Sequence, residues 1–474
     1  MPGITLDFAN CLSDRVKEHG LTESDIADAK PRFCDLSDRL TSMRLKGKTA
    51  YRDLPHNPAR SKHLNAIKAI VDHYRDKDIR NLVVLGIGGS ALGNIALHTA
   101  LNPLTYNLLA DKDRPGPRLF ILDNVDPHMV RDVKNYLQAD DPEMKHTLIN
   151  VISKSGETAE TAAQFIVFRD LLQRFSGNRS AEYIVAVTDE KQGTMRSIVD
   201  SEGYRNLPVP DGVGGRFSVL SPVGLFSAAM CGIDIQALLE GAASMDEPCS
   251  EADLEKNPAG MLAFILIELT RRGKPNHVLM PYSNNLYSLA DWFRQIWAES
   301  LGKQYDLQGK EVFAGATPIK ALGTTDQHSQ IQLYREGPND KVIGFLEVEQ
   351  FDGDVTIPAS LEVQNLKYLQ NATFSQLLNA EKRATEYALV ESRRPNYTLK
   401  FPRIDAYHVG QFIYLWEVAT SYAGLMLNID AYNQPAVETG KKATFGLMGR
   451  IGFEEYKSQV DATLAPTDHL ISCP

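Results

Sequence analysis

Two short segments of this chain concentrate the residue types that hold anions. Gly86-Ile-Gly-Gly-Ser-Ala-Leu-Gly93 sets glycines, Gly89 among them, around Ser90, so the backbone can approach a ligand and turn its N–H groups outward. Where such a loop opens a helix, the helix N-terminus favours negative charge and Ser90 can donate to a phosphate oxygen. Taken alone, the segment fits a tight turn equally well. It is not a Walker A loop, because no Gly-Lys-Ser/Thr follows, and Ala91 stands where G-x-G-x-x-G needs its third glycine. Ser153-Lys-Ser-Gly-Glu-Thr158 joins three hydroxyls, Ser153, Ser155 and Thr158, to Lys154 and a permissive Gly156. Helix capping would occupy one or two of those hydroxyls and leave the lysine without a purpose. The pair of loops is a stronger signal for phosphate than either loop.

Four further segments carry groups able to move protons or stabilise charge. Val213-Gly-Gly-Arg-Phe-Ser218 places Arg216 directly after Gly215, where a permanently charged guanidinium can offset an oxyanion or phosphate; a salt-bridged loop arginine is the plainer reading. Gln295 and Glu299 stand four apart and share one edge of a helix, which by spacing alone favours an ordinary polar surface edge. His328 lies in Gly323-Thr-Thr-Asp-Gln-His-Ser329, and Lys441 ends Tyr432-Asn-Gln-Pro-Ala-Val-Glu-Thr-Gly-Lys441. A structural histidine and a solvated lysine are their default roles. No HExxH run or clustered Cys/His spacing points to a metal, and none of these groups requires a cofactor.

The elements that would position these groups are legible as strand and helix patterns. Asn81–Gly86, Arg118–Asp123, Thr147–Ser153 and Glu182–Thr188 are nearly continuous apolar runs, as in strands covered on both faces. Helix-compatible stretches alternate with them, which predicts right-handed βαβ units and a parallel sheet. His277–Tyr282 and Lys341–Val348 predict strands of a second series. Across Asn285–Ser300, Leu286, Leu289, Trp292, Phe293, Ile296 and Trp297 form one apolar helical stripe. The expected class is α/β: an N-terminal helical segment over residues 1–49, α/β domains over 50–212 and 213–431, and a C-terminal helical segment over 432–474.

Bulk properties narrow the partners. With 474 residues, 43% hydrophobic and 23% charged, the chain has ample material for two cores. A net charge of −10 gives no global attraction to nucleic acid or anionic lipid, so an anionic ligand needs a local site. The five scattered cysteines predict reduced thiols in a cytoplasm, the polar Met1–Gly20 reads as no signal peptide, and no apolar run reaches the ~20 residues of a membrane span.

The motifs in combination resemble the glucose-6-phosphate isomerase (phosphoglucose isomerase) family, especially its compact bacterial type. GIGGSALG, SKSGET, GVGGRFSVLSPVG, QIWAES followed by LGK, GTTDQHSQ and YNQPAVETGK occur in family order between residues 86 and 441. The resemblance implies two sugar-isomerase (SIS) domains, a C-terminal helical segment and a homodimer, with no cofactor. It implies phosphate contacts from Gly89, Ser90, Ser153, Lys154, Ser155 and Thr158. Arg216, beside Gly215, falls on the enediolate-stabilising position, Glu299 on the base, and Gln295 on a residue lining the same site. His328 and Lys441 fall on ring-opening positions, the histidine reaching across the dimer interface. Ala436 replaces a glycine common in the family, and Ser155 and Glu157 replace threonines; the backbone N–H of Glu157 is expected to remain available to phosphate. A dinucleotide-dependent oxidoreductase using Asp123, a non-catalytic SIS sensor and a bifunctional enzyme accepting mannose 6-phosphate are the competing readings.

Overall fold

A computed structural model describes residues 2–465, 469–471 and 473. The chain forms two compact units, Met1–Ala431 and Tyr432–Pro474. Both large sheets belong to the first. Its strands among the described residues are β1 (Thr5–Asp7), β2 (Asn81–Leu85), β3 (Arg118–Leu122), β4 (Thr147–Ile152), β5 (Ile184–Thr188), β6 (Arg205–Pro208), β7 (Asn276–Pro281), β8 (Lys303–Tyr305), β9 (Glu311–Ala314), β10 (Thr317–Lys320), β11 (Lys341–Gln350) and β12 (Asn396–Arg403).

The first sheet runs β3-β2-β4-β5-β6 and is parallel throughout. Every residue of β2, β4 and β5 is buried, which is why those strands read as unbroken apolar runs. Val83, Leu85, Ile149, Val151 and Ala186 pack with Phe165, Phe168 and Leu172 from the helix Ala159–Ser176. The chain goes from β2 outward to β3 and then crosses to β4, so the strand order reverses between β2 and β4. In open parallel sheets that reversal leaves a crevice beyond the carboxyl ends of the two strands.

The second sheet runs β1-β12-β11-β7-β10, parallel except for its edge strand β1. Residues 1–49, expected to be helical, therefore also contribute a strand: Thr5, Leu6 and Asp7 pair with Lys400, Leu399 and Thr398. The helical part is Glu23–Leu45, started by a capping box in which the Asp25 N–H donates to Thr22 Oγ1 (3.1 Å) and the Thr22 N–H to Asp25 Oδ2 (2.6 Å). Apolar on nearly all sides, the helix Ala406–Met426 is buried along almost its whole length. Its Trp416 meets Phe293 and Trp297 at ring-centroid distances of 4.5 and 5.5 Å, holding the predicted amphipathic helix, observed as Tyr287–Leu301, against the core. Among the described residues no helix is long and apolar enough to cross a membrane.

The second compact unit carries the helices Val437–Leu447 and Glu454–Thr463, joined by a contact between the Phe445 and Phe453 rings at 5.2 Å.

Candidate active site

The two proposed phosphate loops emerge side by side because β2 and β4 are paired neighbours, with Leu85 opposite Val151. Their carboxyl ends open onto the crevice at the reversal of strand order. In the first loop Gly88–Ser90 makes a 3-10 turn that leads into the helix Leu92–Leu101. Asn94, one turn into that helix, is buried and its amide donates to the Ser90 carbonyl at 2.9 Å, which fixes the loop from behind. The Ser90 hydroxyl itself takes no hydrogen-bond partner among the described residues.

In the second loop two hydroxyls shape the backbone. Ser153 Oγ accepts the Gly156 N–H at 3.0 Å, and Ser155 Oγ accepts the Glu157 N–H at 3.1 Å. Each hydroxyl keeps its own proton to donate. The Glu157 N–H, expected to remain for phosphate, is thus engaged by Ser155, and the Glu157 carboxylate accepts from Thr194 Oγ1 at 3.3 Å. Thr158 precedes the helix Ala159–Ser176 without capping it, so capping does not account for its hydroxyl. Gly156 is left-handed, with φ +78°, and a Cβ there would lie 2.3 Å from the Met195 nitrogen. The loop after β5 completes the support: Thr188 Oγ1 donates to the Lys154 carbonyl at 3.1 Å. The exposed Lys154 ammonium makes no ion pair among the described residues.

The segment that carries Arg216 meets the first loop through a close backbone approach. A Cβ on Gly89 would sit 2.2 Å from the carbonyl carbon and oxygen of Gly215 and 2.8 Å from the Arg216 nitrogen. Only a glycine allows the two loops to touch this way. Arg216 is buried and its guanidinium is held at two corners: Nε donates to Ser300 Oγ at 2.7 Å and Nη2 to the Ala431 carbonyl at 2.7 Å. Its Nη1 lies 3.3 Å from Glu299 Oε1. Gln295 Nε2 donates to Glu299 Oε2 at 3.0 Å, and a Cβ on Gly88 would come within 3.2 Å of the same nitrogen. Gly88, Gln295, Glu299, Arg216, Gly215 and Gly89 therefore form one closed circuit of neighbours. The Glu299 side chain is 28% exposed, so the carboxylate is reachable while its partners are not free to wander.

One further predicted residue lies outside this circuit, and another belongs to the second compact unit. His328 ends a 3-10 turn (Thr325–His328) and is exposed, with no contact to Glu299, Arg216 or Gln295 among the described residues. Its loop is tied to the carboxyl end of β7, where the Ala321 and Gly323 N–H groups donate to the Leu279 and Pro281 carbonyls at 3.0 and 2.9 Å. Glu299 stands in the last turn of the 15-residue helix that follows β7, about 18 Å along its axis from the first turn. Lys441 lies in the second compact unit, where it pairs with Glu438 at 2.7 Å and is 53% exposed. Among the described residues no group of three or more His, Cys, Asp or Glu side chains is arranged to hold a metal ion.

Sequence reasoning missed the residues that hold the circuit in place, Ser300 and Asn94. Neither carries a spacing signal, since Ser300 matters only because Arg216 arrives from 84 residues away.

Two loops rich in glycine and hydroxyls at a parallel sheet's switch point, with a partly exposed carboxylate and a buried arginine beside the first of them, fit a sugar-phosphate isomerase of the aldose–ketose class. Residues 59–464 match the sequence profile described as Phosphoglucose isomerase, and the chain belongs to that family. It is 43% identical over 458 residues to a glucose-6-phosphate isomerase of Carboxydothermus hydrogenoformans, covering 96% of this chain and 97% of the relative. To a glucose-6-phosphate isomerase of Rubrobacter xylanophilus it is 40% identical over 455 residues, covering 96% of this chain and all (100%) of the relative. A solved structure of a hypothetical protein from Thermus thermophilus superposes with a TM-score of 0.83 at 34% identity, covering 94% of this chain and 100% of that one.

Proposed function

We propose that this chain interconverts glucose 6-phosphate and fructose 6-phosphate, with the circuit around Glu299 as its reacting centre. The observation that supports the reading is the Gly89–Gly215 contact, which brings the first loop against the backbone of the segment that carries Arg216. Ser90, Ser153, Lys154, Ser155 and Thr158 hold the phosphate, with Gly89 giving the first loop its close approach. That anchoring energy orients the reacting carbons. Once the ring is open, Glu299 takes the proton from C2 of the aldose and returns it to C1, while Gln295 keeps the carboxylate turned toward the substrate. Arg216, bound at two corners, faces the oxygens on which the enediolate charge develops, so little reorganisation is needed as that charge appears. The conversion is redox-neutral and uses proton transfers alone.

His328 and Lys441 serve ring opening, moving a proton between the ring oxygen and O1. An exposed His328, anchored at the other end of the β7 helix from Glu299, suits a homodimer in which each histidine enters the partner's site. Residues 50–212 and 213–431 act as two SIS domains, residues 1–49 brace the second, and 432–474 carry Lys441. A cytoplasmic setting fits the reduced cysteines and this substrate.

A coupled assay of fructose 6-phosphate conversion, run without added metal and repeated with mannose 6-phosphate, tests the reading. Turnover of fructose 6-phosphate is expected. Its absence in folded protein would remove the assignment, and equal turnover of mannose 6-phosphate would make the enzyme bifunctional.

A further inference from the structure

Behind the Glu299–Arg216 pair lies a second cation with no part in the chemistry above. Lys303 opens β8 just past the end of the helix Tyr287–Leu301, and only 8% of it is exposed. Its ammonium donates to the Glu299 carbonyl at 2.9 Å and the Ser300 carbonyl at 2.7 Å. Both belong to the last turn of the helix, whose carbonyls lack intrahelical partners and carry the negative end of the helix dipole. These two residues are also the ones whose side chains meet Arg216: Glu299 through its carboxylate, Ser300 through its hydroxyl. Pairing of β8 with β9, Lys303 opposite Ala314, holds the lysine backbone in place.

We propose that Lys303 is a positioning residue for the isomerisation: it clamps the turn that presents Glu299 and Ser300 to Arg216, and places a further positive charge beside the developing enediolate. This rests on the isomerase reading of the same site. A helix end in solvent would need no such residue, since water satisfies the last carbonyls; here Ser300, Leu301 and Lys303 are buried, and the turn's geometry sets the spacing of base and arginine. The groups that face the ammonium are Arg216, Glu299 and Asp430. Burial, reinforced by Arg216, lowers the lysine's pKa to about 8, with Asp430 and Glu299 opposing the shift. A neutral amine still has two N–H donors. Both carbonyl bonds therefore survive deprotonation, and only the charge is lost as pH rises.

Clamp and charge can be separated in the full-length enzyme with Lys303→Met and Lys303→Arg, following fructose 6-phosphate turnover from about pH 6 to pH 9.5. Lys303→Met is expected to lower kcat roughly 10- to 100-fold, the scale of a small misplacement of reacting groups, with KM and the Ki of 6-phosphogluconate within about twofold. Lys303→Arg should recover much of kcat and move any alkaline loss of activity centred near pH 8 to higher pH, because a guanidinium stays charged. A folded Lys303→Met enzyme with parental kcat and pH profile would overturn the inference. So would a Lys303→Arg enzyme whose profile keeps the parental limb at pH 8, which decides the matter even if the methionine variant does not fold. A parent enzyme without turnover would instead overturn the isomerase reading itself.

Discussion

In the first sheet β2 lies between β3 and β4, and in the second β7 lies between β10 and β11. Each time the chain leaves a central strand, fills one side and then crosses to the other, so both sheets carry a crevice at the same topological place. Their contents differ. At the first crevice the loops are short and supply glycines, hydroxyls and one lysine. At the second, a cleft of about 560 Å³ is lined by Asn285, Gln350, Phe351, Asp234, Asp352 and Asp405 among others, with neither lysine nor a glycine-rich turn among its lining residues, and its Asp352 and Asp405 carboxylates are paired with Arg403. The second sheet serves the site through the far end of the helix after β7, where Gln295 and Glu299 stand. The strand order thus decides where a crevice forms, and the loop residues decide what it holds.

Substitutions in the two halves should therefore separate reaction from holding. The largest effect is expected from Glu299→Gln, which keeps the size of the side chain and removes the base. It should lower kcat by roughly 10²–10⁴ while the Ki of a competitive sugar-phosphate inhibitor stays near its parental value. Near-normal turnover in folded protein would take the base role from Glu299 and erase the distinction between the halves.

Gly89→Ala comes next. The added methyl meets the Gly215 backbone, so the variant should lose about 1–3 kcal/mol of stability in denaturant titration and raise KM together with lowering kcat. A variant that changes neither would show that the contact between the two loops does not set the site.

Lys154→Ala belongs to the holding side alone. It should weaken inhibitor binding roughly tenfold, the usual scale for one charged hydrogen bond, with a smaller change in kcat at saturation. Loss of kcat with unchanged Ki would place Lys154 among the reacting groups instead.

The mildest test lies in the core of the second lobe. Glu417, on the helix Ala406–Met426, is fully buried with both carboxylate oxygens unpartnered among the described residues, and burial pushes its pKa well above the usual carboxylate range. A raised carboxyl pKa means the folded state holds a proton that the unfolded state releases. Its stabilising contribution is complete below the unfolded value and falls by about 1.4 kcal/mol per pH unit as pH rises toward the folded value. Glu417→Gln should remove that slope from thermal or denaturant unfolding measured above about pH 4.5 and leave catalysis untouched. Identical pH dependence in both proteins would mean that Glu417 is not carried as the neutral acid.

Much of this organisation was readable in one dimension. The buried strands β2, β4, β5 and β7 announced themselves because each is covered on both faces and so is apolar at almost every position. Edge or partly polar strands escaped: β6 is Arg-Asn-Leu-Pro, β10 is Thr-Pro-Ile-Lys, and β12 carries Thr398 and Lys400 within its apolar run. Strand β1 is only three residues long and exists by virtue of its partner β12.

The sequence by itself determined the chemistry on offer: two anion-holding loops, a carboxylate and an amide on one helix edge, an arginine after two glycines, and the histidine and lysine beyond. Residue type, turn chemistry and periodicity are local properties, set by neighbours in the chain and by exposure to water. Tertiary structure alone put Glu299 against Arg216 and Gln295, where its spacing had suggested only a surface edge. Arg216 reaches it only because Gly89 lets the backbone of Gly215 approach within contact distance, and no local rule encodes a meeting between segments so far apart in sequence. The same packing turned His328 outward and put Lys303 beneath the turn that carries Glu299. Contacts of that kind arise from which faces bury together, and the physics of a single segment does not contain them.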